Sequence, residues 1–124
     1  MARVLIVDDI GIMRHTIKGH LIKLGHIVVG EASNGDEAIH QYKLLKPDVV
    51  TMDVTMPAFN GILSGIEALK HIKEYDNDAK VVMLTSHGEQ KTIMDAIKIG
   101  AKGYILKPVN ADKLEATFNK LALS

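Results

Sequence analysis

The stretch Val4-Leu5-Ile6-Val7-Asp8-Asp9 sets an unbroken apolar run against a pair of carboxylates. A similar arrangement recurs at Val49-Val50-Thr51-Met52-Asp53, where a largely apolar run again ends on an acid. Further short runs occupy residues 27–29, 81–84 and 104–106. Short runs rich in β-branched residues are the signature of strands buried on both faces, where each side of the pleat meets apolar partners. Between them the hydrophobic period changes to that of a helix. Ile10, Met13, Ile17, Leu21 and Leu24 step by three and four, and Gly25 follows as a stop. Ala38, Tyr42 and Leu45 form a second stripe closed by Pro47; Ile66, Leu69 and Ile72 a third; Ile93, Ile97 and Ala101 a fourth; Leu114, Phe118 and Leu121 a fifth. Asn34 with Glu37, Ser64 with Glu67 and Ser86 with Glu89 have the spacing of a capping box, which marks three helix starts. Five strands alternating with five helices predict an α/β fold, a doubly wound parallel sheet covered by helices on both faces.

The bulk composition narrows the classes of function. A chain of 124 residues is the size of one compact domain, and 47% hydrophobic residues are enough for its core. Fifteen basic and fifteen acidic residues cancel, so no field points to nucleic acid or to an acidic membrane. The absence of cysteine rules out disulfides and thiolate metal sites. The early apolar run is too short for a signal peptide or a span, so the expected location is cytoplasmic. Neither G-x-G-x-x-G nor G-x-x-x-x-G-K-[ST] occurs, and the six histidines lack metal-binding spacing.

In doubly wound sheets, ligands bind outside the carboxyl ends of the strands. Asp8 and Asp9 follow the first predicted strand, Asp53 ends the third, Thr85 the fourth and Lys107 the fifth. Each residue alone has an ordinary explanation: Asp9 suits a helix N-cap, Thr85 a strand terminus, and Lys107 a solvated loop. Five of them at four strand ends point instead to a site. Clustered carboxylates repel and call for a cation, and an all-oxygen ligand set favours Mg²⁺ or Mn²⁺. A lysine can neutralise phosphoryl oxygens, a threonine hydroxyl can donate to one, and a carboxylate can accept the phosphoryl group itself.

With Val7-Asp8-Asp9, Asp53 followed by Met56-Pro57, Thr85-Ser86 and Lys107-Pro108 in order, the chain resembles the receiver domains of two-component response regulators, especially the stand-alone chemotaxis type. The resemblance covers essentially all of residues 1–124 and implies a single receiver domain of flavodoxin-like strand order 2-1-3-4-5. It implies that Asp53 is the phosphoacceptor, served by a phosphohistidine on a histidine kinase. Asp9 would bind the metal directly, Asp8 largely through water, and Thr55 through its backbone carbonyl, with Asp53 completing the protein ligands. Lys107 would contact the phosphoryl group, and its bond to Pro108 is expected to be cis. Thr85 matches the switch hydroxyl and Tyr104 the aromatic that turns inward on activation. Thr55 and His87 occupy positions that tune phosphate lifetime. The resemblance further implies self-catalysed phosphorylation and dephosphorylation rather than turnover of a substrate. Output is expected through the fourth helix, fifth strand and fifth helix, residues 89–123, to a flagellar motor switch component or a phosphatase, with no output domain attached.

One departure stands out. The family usually runs from Met-Pro through Asp/Asn-Gly directly into the third helix. Here Asn60-Gly61 is followed by Ile62-Leu63-Ser64-Gly65, which reads as about four extra residues, with the helix beginning after them. An Asp-nucleophile phosphatase is the main rival; it generally needs a second acid two residues after the nucleophile, a position held here by Thr55.

Overall fold

The computed structural model describes residues 1–122. Its elements are β1 (Arg3–Val7), α1 (Gly11–Lys23), β2 (Ile27–Ala32), α2 (Gly35–Leu45), β3 (Val49–Asp53), α3 (Gly65–Tyr75), β4 (Val81–Thr85), α4 (Gln90–Ile99), β5 (Gly103–Leu106) and α5 (Ala111–Lys120). All strand pairs are parallel, in the order β2-β1-β3-β4-β5 that the resemblance implied. The order reverses between β1 and β3, so their carboxyl ends open the crevice in which such sheets bind ligands. Residue 123 of the expected output face lies outside the described residues.

Alternation along the strands divides the core into two layers. Leu5, Val7, Val50, Met52, Val81 and Met83 point to one side, where they meet α2, α3 and α4. Val4, Ile6, Val49, Val82 and Leu84 point to the other, against Ile17 and Leu21 of α1 and Leu114 and Phe118 of α5. β1, β3 and β4 are buried on both faces apart from Arg3. β2 and β5 differ from the sequence expectation, since as edge strands each has one open side and only partial burial. β2 also runs on through Gly30, Glu31 and Ala32, polar and small residues that the apolar-run criterion misses.

Four other expectations are revised. Ile10 is half exposed at the N-cap position of α1, and Ile97 is 51% exposed on α4, so neither belongs to its buried stripe. Ala101 follows the end of α4 at Ile99, where it packs against the core from outside the helix. Asn34 and Ser64 do cap α2 and α3, accepting from the Glu37 and Glu67 amides. Ser86 does not cap α4, which begins only at Gln90. Glu89 instead turns back and accepts from the Ser86 amide at 2.7 Å. Among the described residues, no helix is long and apolar enough to cross a membrane.

The loop between β3 and α3 contains a miniature hairpin. Phe59 and Ile62 exchange backbone hydrogen bonds of 3.0 and 2.9 Å around Asn60 and Gly61, whose φ angles are 53° and 85°. Positive φ at both central residues is the pattern of a type I′ turn, which Asn-Gly favours. Gly65 is the first residue of α3, preceded by its N-cap Ser64. Asn60 and Gly61 thus form the tip of this hairpin, and Leu63 and Ser64 lead from it to α3.

Candidate functional site

Four strand ends deliver the predicted residues to one edge. Asp8 is fully buried just past β1: its amide donates to the Ala32 carbonyl, and its Oδ1 accepts from the Ile10 amide at 2.9 Å. The Arg14 guanidinium donates to the Asp8 carbonyl at 2.7 Å and pairs with Glu31 at 3.1 Å, tying the start of α1 to β2 across the acidic turn. Asp9 is exposed, and α1 has no side-chain N-cap, so the ordinary capping role does not account for Asp9. Asp53 is 3% exposed at the end of β3. Its Oδ1 accepts from Lys107 Nζ at 3.1 Å and from the Thr55 amide at 3.3 Å.

Asp8, Asp9 and Asp53 each offer a carboxylate oxygen, and these oxygens lie within 4.8 Å of one another. Burial pushes the Asp53 carboxyl above the usual carboxylate range, and the Lys107 hydrogen bond and charge oppose that shift without cancelling it. Burial likewise raises Asp8, against the pull of the Ile10 amide and Lys107. Asp8 Oδ2 is buried with no hydrogen-bond partner. An orphaned buried oxygen beside two further carboxylates suits a small divalent cation, because hard oxygen donors and excess negative charge are what such an ion binds. The residues and spacing of the acidic cluster suit a divalent metal ion.

Lys107 is held from two directions. Its amide donates to the Thr85 carbonyl at 2.7 Å, and its bond to Pro108 is cis, as expected. Lys113, on α5, donates to the carbonyls of Leu106 and Pro108 at 2.9 and 3.0 Å and so fixes the loop that carries the Lys107 side chain. Thr85 is buried at the end of β4, one residue beyond the Leu84 that registers with Asp53. Tyr104 is 53% exposed and lines, with Ile93, Met94 and Ile97, an apolar groove of about 480 Å³ beside the β4–α4 loop. His87 is exposed on the same groove, and the structure gives it no hydrogen bond at the acidic cluster.

Sequence reasoning missed one central residue. Glu89 accepts from the Thr85 hydroxyl at 3.1 Å through Oε1 and from the Thr55 hydroxyl at 3.0 Å through Oε2. The Ser86 amide above all holds its carboxyl below the usual range; burial opposes it, and the Thr55 and Thr85 hydroxyls add smaller downward effects. The only signal was the Ser86–Glu89 spacing, which reads as a helix cap and conceals a tie across the mouth of the site.

The fold and this edge define the class: a doubly wound α/β protein with an acidic site at its β1/β3 switch point. Residues 4–119 match the model of the response regulator receiver domain family. The chain is 46% identical to the chemotaxis protein CheY of Thermotoga maritima over 97% of both chains. It is 48% identical to the CheY of Bacillus subtilis over 95% of both. A chain of the crystallised CheX–CheY–BeF3–Mg²⁺ complex from Borrelia burgdorferi superposes with a TM-score of 0.89 at 31% identity, over 98% of this chain and 90% of that one. The protein belongs to the response regulator receiver family, the phosphoacceptor modules of two-component signal transduction.

Proposed function

We propose that Asp53 takes a phosphoryl group from the phosphohistidine of a histidine kinase, and that the resulting aspartyl-phosphate switches a partner-binding surface in chemotaxis or motility. The observation that carries this reading is the Asp53 carboxylate itself. It is buried, paired with Lys107 at 3.1 Å, and set beside Asp8 and Asp9. In the transfer a carboxylate oxygen of Asp53 bonds to phosphorus as the P–N bond to the donor imidazole breaks, and the imidazole takes up a proton. Lys107 Nζ follows the developing phosphoryl charge from its place on Oδ1. Asp8, Asp9, Asp53 and the Thr55 carbonyl would hold Mg²⁺ or Mn²⁺, whose chemistry when bound is to neutralise the cluster and the phosphoryl oxygens. The protein catalyses only its own phosphorylation and dephosphorylation, and acts in the cytoplasm. The grooved face of α4, β5 and α5 would meet a motor component or a phosphatase.

The phosphatase alternative lacks its acid, since Thr55 stands two residues after Asp53 and its hydroxyl is engaged by Glu89. Incubation with Mg²⁺ and acetyl phosphate, followed by intact-mass measurement, tests the reading. A single phosphate adduct should form and be absent from Asp53→Asn. Absence of an adduct at every Mg²⁺ concentration, or sustained turnover of a small phosphate ester, would overturn it.

A further inference from the structure

Glu89 is the first residue of the α4 end to reach toward the site, and it uses both carboxylate oxygens to do so. Oε1 accepts from the Thr85 hydroxyl at 3.1 Å and from the Ser86 amide at 2.7 Å; Oε2 accepts from the Thr55 hydroxyl at 3.0 Å. Thr55 belongs to the β3–α3 loop and Thr85 to the end of β4, so one side chain joins the two segments that flank Asp53. A hydroxyl carries one donor proton. Among the described residues, the other acceptor that the Thr85 hydroxyl reaches is the Ser86 carbonyl at 3.3 Å, a longer contact to a neutral group. Hydrogen bonds to an ionised acceptor are the stronger kind, so the Thr85 hydroxyl donates to Glu89. A phosphoryl group on Asp53 presents the competing anionic acceptor beside the same strand end.

We propose that Glu89 is a positioning residue that latches Thr85 and Thr55 to the N-terminus of α4 in the unphosphorylated protein. An anion on Asp53 then has to draw the Thr85 proton away from a carboxylate before it can engage it. The latch opposes spontaneous activation, and its release frees the first turn of α4 next to the groove lined by Ile93, Met94 and Tyr104. The inference rests on Asp53 being the phosphoacceptor, and Glu89 itself contacts none of the reacting atoms.

Beryllofluoride in the presence of Mg²⁺ is the probe, with its affinity measured by calorimetry on the intact protein. Glu89→Ala should tighten its binding about tenfold, the equivalent of one hydrogen bond to a charged acceptor. Glu89→Gln keeps an acceptor oxygen without the charge, and should tighten binding by about threefold or less. In a Thr85→Ala background the Glu89→Ala gain should vanish, because no hydroxyl remains to be released. Equal gains from Glu89→Ala and Glu89→Gln, or a gain that persists without the Thr85 hydroxyl, would mean that Glu89 merely repels the anion, and would overturn the latch. So would an unchanged affinity in Glu89→Ala. If the wild type binds no beryllofluoride, the phosphoacceptor reading fails and the latch falls with it. Wild-type binding with an unresponsive Glu89→Ala removes the latch alone.

Discussion

Gly65 carries the join between the acceptor strand and α3, and replacing it with alanine tests how that join holds Asp53. A Cβ on Gly65 would lie 2.0 Å from the Asp53 carbonyl oxygen, 3.0 Å from its carbonyl carbon and 3.2 Å from Met52 Cγ. Ordinary contact begins at 3.4 Å, so the methyl lacks about 1.4 Å against backbone that cannot rotate aside. Two effects favour alanine, its helix propensity and its stiffer unfolded chain, and together they amount to about 1 kcal/mol. Overpacking costs about 3 kcal/mol where a backbone rather than a flexible side chain must move, so the steric effect wins. The net loss is about 2 kcal/mol, which lowers Tm by roughly 8 °C in a domain of this size. Because the displaced atoms belong to Asp53, the initial rate of phosphorylation by acetyl phosphate should also fall, on the order of tenfold or more. Gly61→Ala is the control. Its Cβ meets nothing within 4 Å, and only its φ of +85° opposes a side chain. That variant should lose about 1 kcal/mol and phosphorylate normally. Urea denaturation and the time course of adduct mass measure both. Wild-type stability and rate in Gly65→Ala, or greater damage from Gly61→Ala, would refute the account of the join.

Thr51 sits mid-sheet between Ile6 and Val82, and its hydroxyl is buried without a partner. Thr51→Val should therefore raise unfolding free energy by about 1 kcal/mol in urea melts, and a loss of stability would show that the hydroxyl is satisfied after all. The Tyr42 hydroxyl donates to Asp76 Oδ2 at 2.7 Å and is the main reason that the Asp76 pKa is lowered. Tyr42→Phe should cost about 1 kcal/mol at neutral pH, a figure discounted for the solvent exposure of Asp76. A depressed carboxylate pKa stabilises above its ordinary value of 3.8 and loses that contribution as pH falls through the lower folded value. The cost of Tyr42→Phe should thus shrink in acid below pH 3.8, and a cost independent of pH would contradict the bond. Mg²⁺ at ten times its Kd should stabilise the protein by about 1.4 kcal/mol, reversibly with a chelator. Scanning calorimetry should show that gain abolished in Asp9→Asn, and a Tm insensitive to Mg²⁺ would argue against the metal site.

The strands and helices were legible because each buried run has partners on both sides and each stripe has one period. Legibility failed where that condition failed. β2 was read too short because an edge strand tolerates Gly30 and Glu31, and Ile97 was read as core because an apolar residue at helical spacing can equally line an open groove. Of the site, Asp8, Asp53, Thr85 and Lys107 were visible from their place at strand ends. Glu89 was not, since its role depends on a backbone turn that swings it away from the helix it was expected to cap. Arg14 and Lys113 were equally hidden: a basic residue on a helix surface carries no mark that it reaches a carbonyl at the site.

The β3–α3 hairpin shows how a loop can be held at its base beside an acceptor that must not move. The segment leaves the sheet at Val54 and returns at Gly65, where the Gly65 amide donates to the Val54 carbonyl at 3.1 Å. That bond and the Gly65 contact with Asp53 close the loop at its base, whatever its length. Lengthening a loop is entropically cheap, about 0.6 kcal/mol for a doubling. Here the hairpin offsets the cost with its own two backbone bonds, with Ile62 packed over Gly35, and with Asn60 donating to Asp36 at 3.2 Å. Phe59 and Leu63 stay outside, 54% and 64% exposed on the same loop. The tip of the loop is thus left at the surface, while its base keeps the Asp53 carboxylate in register with Lys107 and the acidic pair.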